Sequence, residues 1–204
     1  MTCIVAIVEN NHIHLGGDTC STANVAIEQS KGKLWRASNR MVFGSCGDTR
    51  AANVLQFGFT PPARTEGQTL DAYMYLTFAQ AVRAFLKEHI HVGVRDNSED
   101  SGVWLLVGWH GRLWQLYPNY CLTESAEPYA AIGSGGEVAL GALHTLHAWA
   151  TTDVTTRLTF ALDAAAKFCF GVRAPYTYLS TDHPARGGEI HAETRPESPG
   201  AHAP

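Results

Sequence analysis

The stretch from Thr2 to Asp18 constrains the fold most. Thr2–Val8 is apolar and rich in β-branched residues and reads as a strand. Glu9-Asn10-Asn11 is turn chemistry, because Asn tolerates positive φ, and Ile13–Gly17 reads as the return strand of a hairpin. A chain that opens on an apolar hairpin commits to antiparallel pairing at its outset.

The rest of the chain keeps that pattern. Lys33–Trp35 and Met41–Gly44 read as short strands around the turn Ser38-Asn39-Arg40. Asp48–Phe57 reads as a helix start, and Pro61-Pro62 breaks the chain. Thr69 is placed to cap a long helix through about Glu88, whose apolar positions Tyr73, Leu76, Ala79, Val82 and Leu86 recur at helical spacing. Arg95–Gly102 reads as a polar loop. Val103–Trp109 and Arg112–Tyr117 form a second hairpin across His110-Gly111. Tyr129–Ile132 is a short strand running into Gly133-Ser134-Gly135-Gly136. Val138–Trp149 and a segment capped by Asp153 and ending near Phe170 read as helices. Hairpin, strands, helices, hairpin, strand, helices is an α+β order with antiparallel sheets, not a βαβ alternation.

The chain has 204 residues, which predicts one domain, placed at 2–183. From Thr181 the composition shifts to Pro, Gly, Glu, His and Ser, so residues 184–204 are expected to form a disordered tail. Hydrophobic residues are 45%, enough for a core. Charged residues are 17%, below the roughly 25% of an average soluble domain, which points to surface buried between subunits. A net charge of −4 argues against a nucleic-acid partner. No apolar run approaches the roughly 18 residues of a membrane helix, and the N-terminus lacks a secretory pattern. The cysteines (Cys3, Cys20, Cys46, Cys121 and Cys169) are odd in number and scattered, which fits a reducing cytoplasm. His12 with His14 and His144 with His147 are spaced to share a metal, but no carboxylate or cysteine completes either set, so no metal or other cofactor is expected.

Position two carries the chemistry. Methionine before a small residue is normally trimmed, which would expose Thr2 as the terminus. An N-terminal Thr combines a hydroxyl nucleophile with an α-amino base whose pKa, about 7.7–8.0, suits proton transfer near neutrality.

The surroundings of Thr2 are more specific than the residue itself. Thr2-Cys3-Ile4-Val5 leads into Leu15-Gly16-Gly17-Asp18-Thr19; Lys33, Gly44-Ser45-Cys46-Gly47 and Ala131-Ile132-Gly133-Ser134-Gly135-Gly136 lie further along. In this combination the chain resembles the proteasome β-subunit and the bacterial HslV peptidase over about residues 2–172. The resemblance implies a four-layer αββα sandwich of the Ntn-hydrolase type. It also implies a threonine peptidase that cleaves polypeptides inside stacked homo-oligomeric rings, with an ATP-driven unfoldase as an open question. Residue by residue, it implies Thr2 as nucleophile, Lys33 as the active-site lysine and Asp18 as the carboxylate orienting it. Gly47 would supply the oxyanion N–H, and Ser134 would contact the threonine amine. Cys20, Ser45 and Cys46 would line the substrate pocket. Lys31 rivals Lys33; Lys33 is preferred because it begins the strand pattern Lys-Leu-Trp. As in an HslV-like protein, methionine trimming alone is expected to expose Thr2, with no propeptide to remove.

The chain also departs from that pattern. The aspartate and serine that the family carries near the end of its last long helix fall on Lys167 and Phe170, with Asp163 a turn earlier. Two other readings therefore stay open: an amidohydrolase of small amides on an open particle, and a catalytically silent assembly protein.

Overall fold

The computed structural model describes residues 1–23, 26–29, 32–148 and 152–181. Lys31 and the expected tail at 184–204 lie outside the described residues.

The opening hairpin is β1 (Ile4–Glu9) and β2 (His12–Asp18), turned at Asn10 and Asn11, both at positive φ. A small hairpin of β3 (Cys20–Ala23) and β4 (Ala26–Gln29) comes next. The strands β5 (Leu34–Arg36) and β6 (Val42–Gly47) flank the 38–40 turn. Helix α1 (Thr49–Gly58) is capped by Asp48, whose carboxylate accepts from the Ala51 N–H at 2.7 Å. Thr69 caps the next helix as its sequence predicts. That helix runs through α2 (Leu70–Ala72), a π-helical stretch Tyr73–Phe78 and α3 (Ala79–His89).

The segment expected to be a polar loop is instead a hairpin, β7 (Gly93–Arg95) and β8 (Ser98–Asp100). It is held by charge rather than by apolar alternation. Glu99 accepts from Arg83 Nε at 2.6 Å and from Lys87 Nζ at 2.7 Å, and this pairing lowers its carboxyl pKa to about 2. The second long hairpin is β9 (Val103–Trp109) and β10 (Arg112–Leu116), extended by β11 (Leu122–Glu124). Then come β12 (Tyr129–Ile132), α4 (Gly136–His147), α5 (Val154–Phe168) and β13 (Tyr176–Ser180).

Two antiparallel sheets form the centre, one in the order β12-β1-β2-β13 and the other β11-β10-β9-β6-β5. Ile4, Ile13, Leu15, Val42, Leu106 and Ile132 pack between them. The outer face of the five-stranded sheet is covered by α1 and by the helix spanning 70–89, through Phe43, Leu55, Tyr73, Phe78 and Trp114. The outer face of the four-stranded sheet is covered by α4 and α5, through Val5, Leu143, Leu158 and Leu162. The layering is helix, sheet, sheet, helix, as expected. Its hydrophobic logic is plain: each sheet is apolar on both faces and needs cover on both. Among the described residues no helix is long and apolar enough to cross a membrane.

Candidate active site

The site forms where β1 and β2 begin and end side by side. Because the hairpin register sets Ile4 opposite Gly17, the residues just beyond it meet as well. The Cys3 N–H donates to Asp18 Oδ1 at 2.8 Å. The Cys20 N–H donates to Asp18 Oδ2 at 3.1 Å. Asp18 is fully buried, and burial pushes its carboxyl pKa up, while Lys33 and these two N–H groups pull against that rise.

Lys33 enters from the residue preceding β5. Its ammonium makes three contacts: Thr2 Oγ1 at 3.0 Å, Asp18 Oδ2 at 3.0 Å and the Cys20 carbonyl at 2.6 Å. An ammonium has three N–H donors, so every one is used. The cation is thereby held in one position, with its side chain only 10% exposed.

Ser134 arrives from the turn after β12. Gly133 sits at φ +94°, where an added Cβ would lie 2.3 Å from the Thr2 carbonyl oxygen; only glycine permits that approach. The Thr2 N–H donates to Ser134 Oγ at 3.1 Å, and Ser134 Oγ donates to the Thr2 carbonyl at 3.3 Å. The Gly135 N–H donates to the same carbonyl at 3.2 Å. Thr2 is thus fixed through its backbone as well as its hydroxyl, and it is 9% exposed. Met1 precedes it, so its nitrogen is here an amide.

The remaining expected residues sit at the end of β6. Ser45 is buried, and its N–H donates to the Lys33 carbonyl at 2.9 Å. Cys46 is partly buried, and burial pushes its thiol up to about 12, with Lys33 and the chain's terminal ammonium pulling against that rise. Gly47 is exposed at φ +94°, and a Cβ there would lie 2.1 Å from the Gly102 carbonyl oxygen. Its lack of a side chain is therefore already required by the Gly102 carbonyl just before β9.

Two features are not marked in the sequence. Cys20, expected to line a pocket, contributes its main chain to the lysine and aspartate. Cys169, at the end of α5, donates its thiol to the Ser134 carbonyl at 3.6 Å. No side-chain pattern marks a backbone contribution, and a lone cysteine carries no signal of its own. Lys167 and Phe170 are both exposed, and Asp163 accepts from the Tyr176 hydroxyl at 2.8 Å.

Paired antiparallel sheets between helical layers, with a threonine at the start of the first strand, define the Ntn-hydrolase class of fold. Within that class the chain belongs to the proteasome subunit family, whose model matches residues 1–165. Among solved structures it is similar to the Thiobacillus denitrificans protein BPH in complex with epoxomicin. That match has a TM-score of 0.72 at 19% identity and covers 88% of this chain and 97% of that one. Eukaryotic HslV from Trypanosoma brucei matches with a TM-score of 0.61 at 18% identity, covering 88% of this chain and 98% of that one. Anbu from Yersinia bercovieri matches with a TM-score of 0.59 at 18% identity, over 88% and 81% of the two chains. No curated protein sequence matches the chain.

Proposed function

We propose that this chain is an N-terminal threonine peptidase that hydrolyses peptide bonds inside a homo-oligomeric ring once Met1 has been removed. The observation that carries the reading is the Lys33 ammonium 3.0 Å from Thr2 Oγ1. After trimming, the α-amine of Thr2 takes the proton from Oγ1, and Oγ1 attacks the scissile carbonyl. Lys33 stabilises the charge that develops on Oγ1, and Asp18 keeps Lys33 in place. The tetrahedral species collapses as the C–N bond breaks and the α-ammonium hands its proton to the leaving amine. Water, deprotonated by the α-amine, then cleaves the Thr2 ester, and the proton returns to Oγ1. Ser134 orients the amine, and the Gly47 N–H is assigned to the oxyanion.

Epoxomicin, bound by the Thiobacillus denitrificans protein, is a suitable probe. Intact-mass analysis of trimmed protein is expected to show one adduct per chain on the Thr2 peptide and none in Thr2→Ala. A trimmed protein with neither adduct nor Thr2-dependent turnover would sink the reading. A particle the size of a ring separates it from a small-amide amidohydrolase, whose site needs no enclosure.

A second reading has one observation in its favour. Lys167 and Phe170 point to solvent and Asp163 is committed to Tyr176, so α5 sends no carboxylate to Ser134. A silent assembly subunit would look the same. Retention of Met1 on the purified protein, together with absent turnover, would select it.

A further inference from the structure

The peptidase reading makes a demand on the space around the Thr2 nitrogen. That atom must pass a proton to the leaving amine, so the leaving amine has to come within hydrogen-bonding reach, about 2.6–3.2 Å. While the chain still carries Met1, that residue fills the space against this nitrogen.

Met1 is seated on Gly171. A Cβ added at Gly171 would lie 2.5 Å from Met1 Cβ, 3.1 Å from Cγ and 2.8 Å from Cε. The contact therefore runs the length of an unbranched apolar side chain. Gly171 is buried although its neighbours Phe170 and Arg173 are exposed, and Met1 is itself half exposed. Met1 thus rests on the glycine with half of its surface exposed.

The seat is held by contacts that do not involve Met1. The Val172 N–H donates to the Cys169 carbonyl at 3.1 Å, closing a turn around Phe170 and Gly171. Val172 is fully buried against the α5 core. Cys169 bonds the Ser134 carbonyl, and the Arg173 guanidinium lies 5.5 Å from the Phe170 ring centroid. Removing Met1 thus uncovers an apolar surface beside the Thr2 nitrogen without dismantling the turn that forms it.

We propose that in the trimmed protein Gly171 is the floor of a subsite for the residue immediately after the scissile bond, and that this subsite selects long apolar side chains such as Met and Leu. The inference rests on the threonine peptidase reading and names a specificity determinant for it. The test uses quenched fluorescent peptides identical except at that residue (Gly, Ala, Val, Met, Leu or Asp), cleaved by trimmed wild type and by trimmed Gly171→Ala. In wild type, kcat/KM is expected to be about tenfold or more higher for Met and Leu than for Gly and Asp, the scale of apolar pocket discrimination. Gly171→Ala should flatten that preference while still forming the epoxomicin adduct on Thr2, which needs no leaving residue. Thr2-dependent cleavage with a flat profile in wild type overturns the subsite and leaves the peptidase reading intact. So does a Gly171→Ala profile equal to that of wild type. If Gly171→Ala also loses the adduct, the wild-type profile decides alone. Absence of both adduct and Thr2-dependent cleavage in wild type overturns both.

Discussion

At the scale of single residues, Lys33 is the group on which the site converges, since its three donors join the threonine, the aspartate and a main-chain carbonyl. Lys33→Ala is expected to lower kcat/KM by about 10²–10³-fold with the circular dichroism spectrum retained, a typical loss for a preorganised group that stabilises developing charge. Lys33→Arg should not rescue it, because a planar guanidinium fork cannot direct three donors to acceptors arranged around a point. The cysteines differ sharply in environment. Burial holds the Cys3 and Cys46 thiols up at about 12, whereas Cys121 is exposed. Iodoacetamide at pH 8 should therefore alkylate Cys121 well before Cys3 or Cys46, as read by peptide mass mapping; rapid labelling of Cys3 would contradict the packing. Thr2, Asp18, Lys33 and Ser134 were legible as a set through the motifs that carry the family resemblance, and hydrogen bonds to their side chains join them. The part played by Cys20 was not, because it acts through its N–H and carbonyl, which every residue has. Gly47 was legible as a glycine but not for the reason the Gly102 carbonyl supplies.

At the scale of elements, the helix starts were the most legible features. Asp48, Thr69 and Asp153 each accept from the backbone N–H three residues on, the geometry of an N-cap. Asp153→Ala should cost about 1 kcal/mol and lower Tm by about 2–4 °C in a chain of this size, leaving activity unchanged. The β7–β8 hairpin was not legible because its residues are polar; its order comes from ion pairs to α3 that sit far away in sequence. Glu99→Ala is expected to raise proteolytic nicking and hydrogen exchange within 93–100 while hardly moving the global Tm, since exposed pairs contribute little to overall stability. β13 escaped for a different reason. It lies beside the compositional shift toward the C-terminus, and only its pairing with β2 makes it a strand. The π-helical stretch at Tyr73–Phe78 turns Tyr73, Met74 and Phe78 into the core and leaves Leu76, one of the positions expected to face it, 70% exposed; the wider turn shifts the facing positions and no residue in the sequence marks it.

At the scale of the whole molecule, the low charge noted in the sequence has a structural counterpart. Phe57 and Leu76 are 80% and 70% exposed on the helical layer over the five-stranded sheet. Phe160 and Phe168 are 52% and 75% exposed on α5, over the other sheet. Large apolar side chains left uncovered on opposite outer surfaces fit a subunit that is buried on both sides, as stacked rings require. The native mass of the full chain is therefore expected to be a multiple of 22.1 kDa, and a monomer at micromolar concentration would count against the ring. Charge placed on one outer surface should separate what that surface joins and spare the other. Phe160→Asp with Phe168→Asp is thus expected to yield a smaller particle than wild type, still folded, and so is Leu76→Asp. Because Thr2, Asp18, Lys33 and Ser134 all come from one chain, epoxomicin labelling should persist in the smaller particles. Hydrolysis of long polypeptides need not follow suit. If the proposed ring encloses the site, access is limited by size, and opening the ring should raise cleavage of casein relative to short peptides; a ratio unchanged on dissociation would mean that assembly does not gate the site.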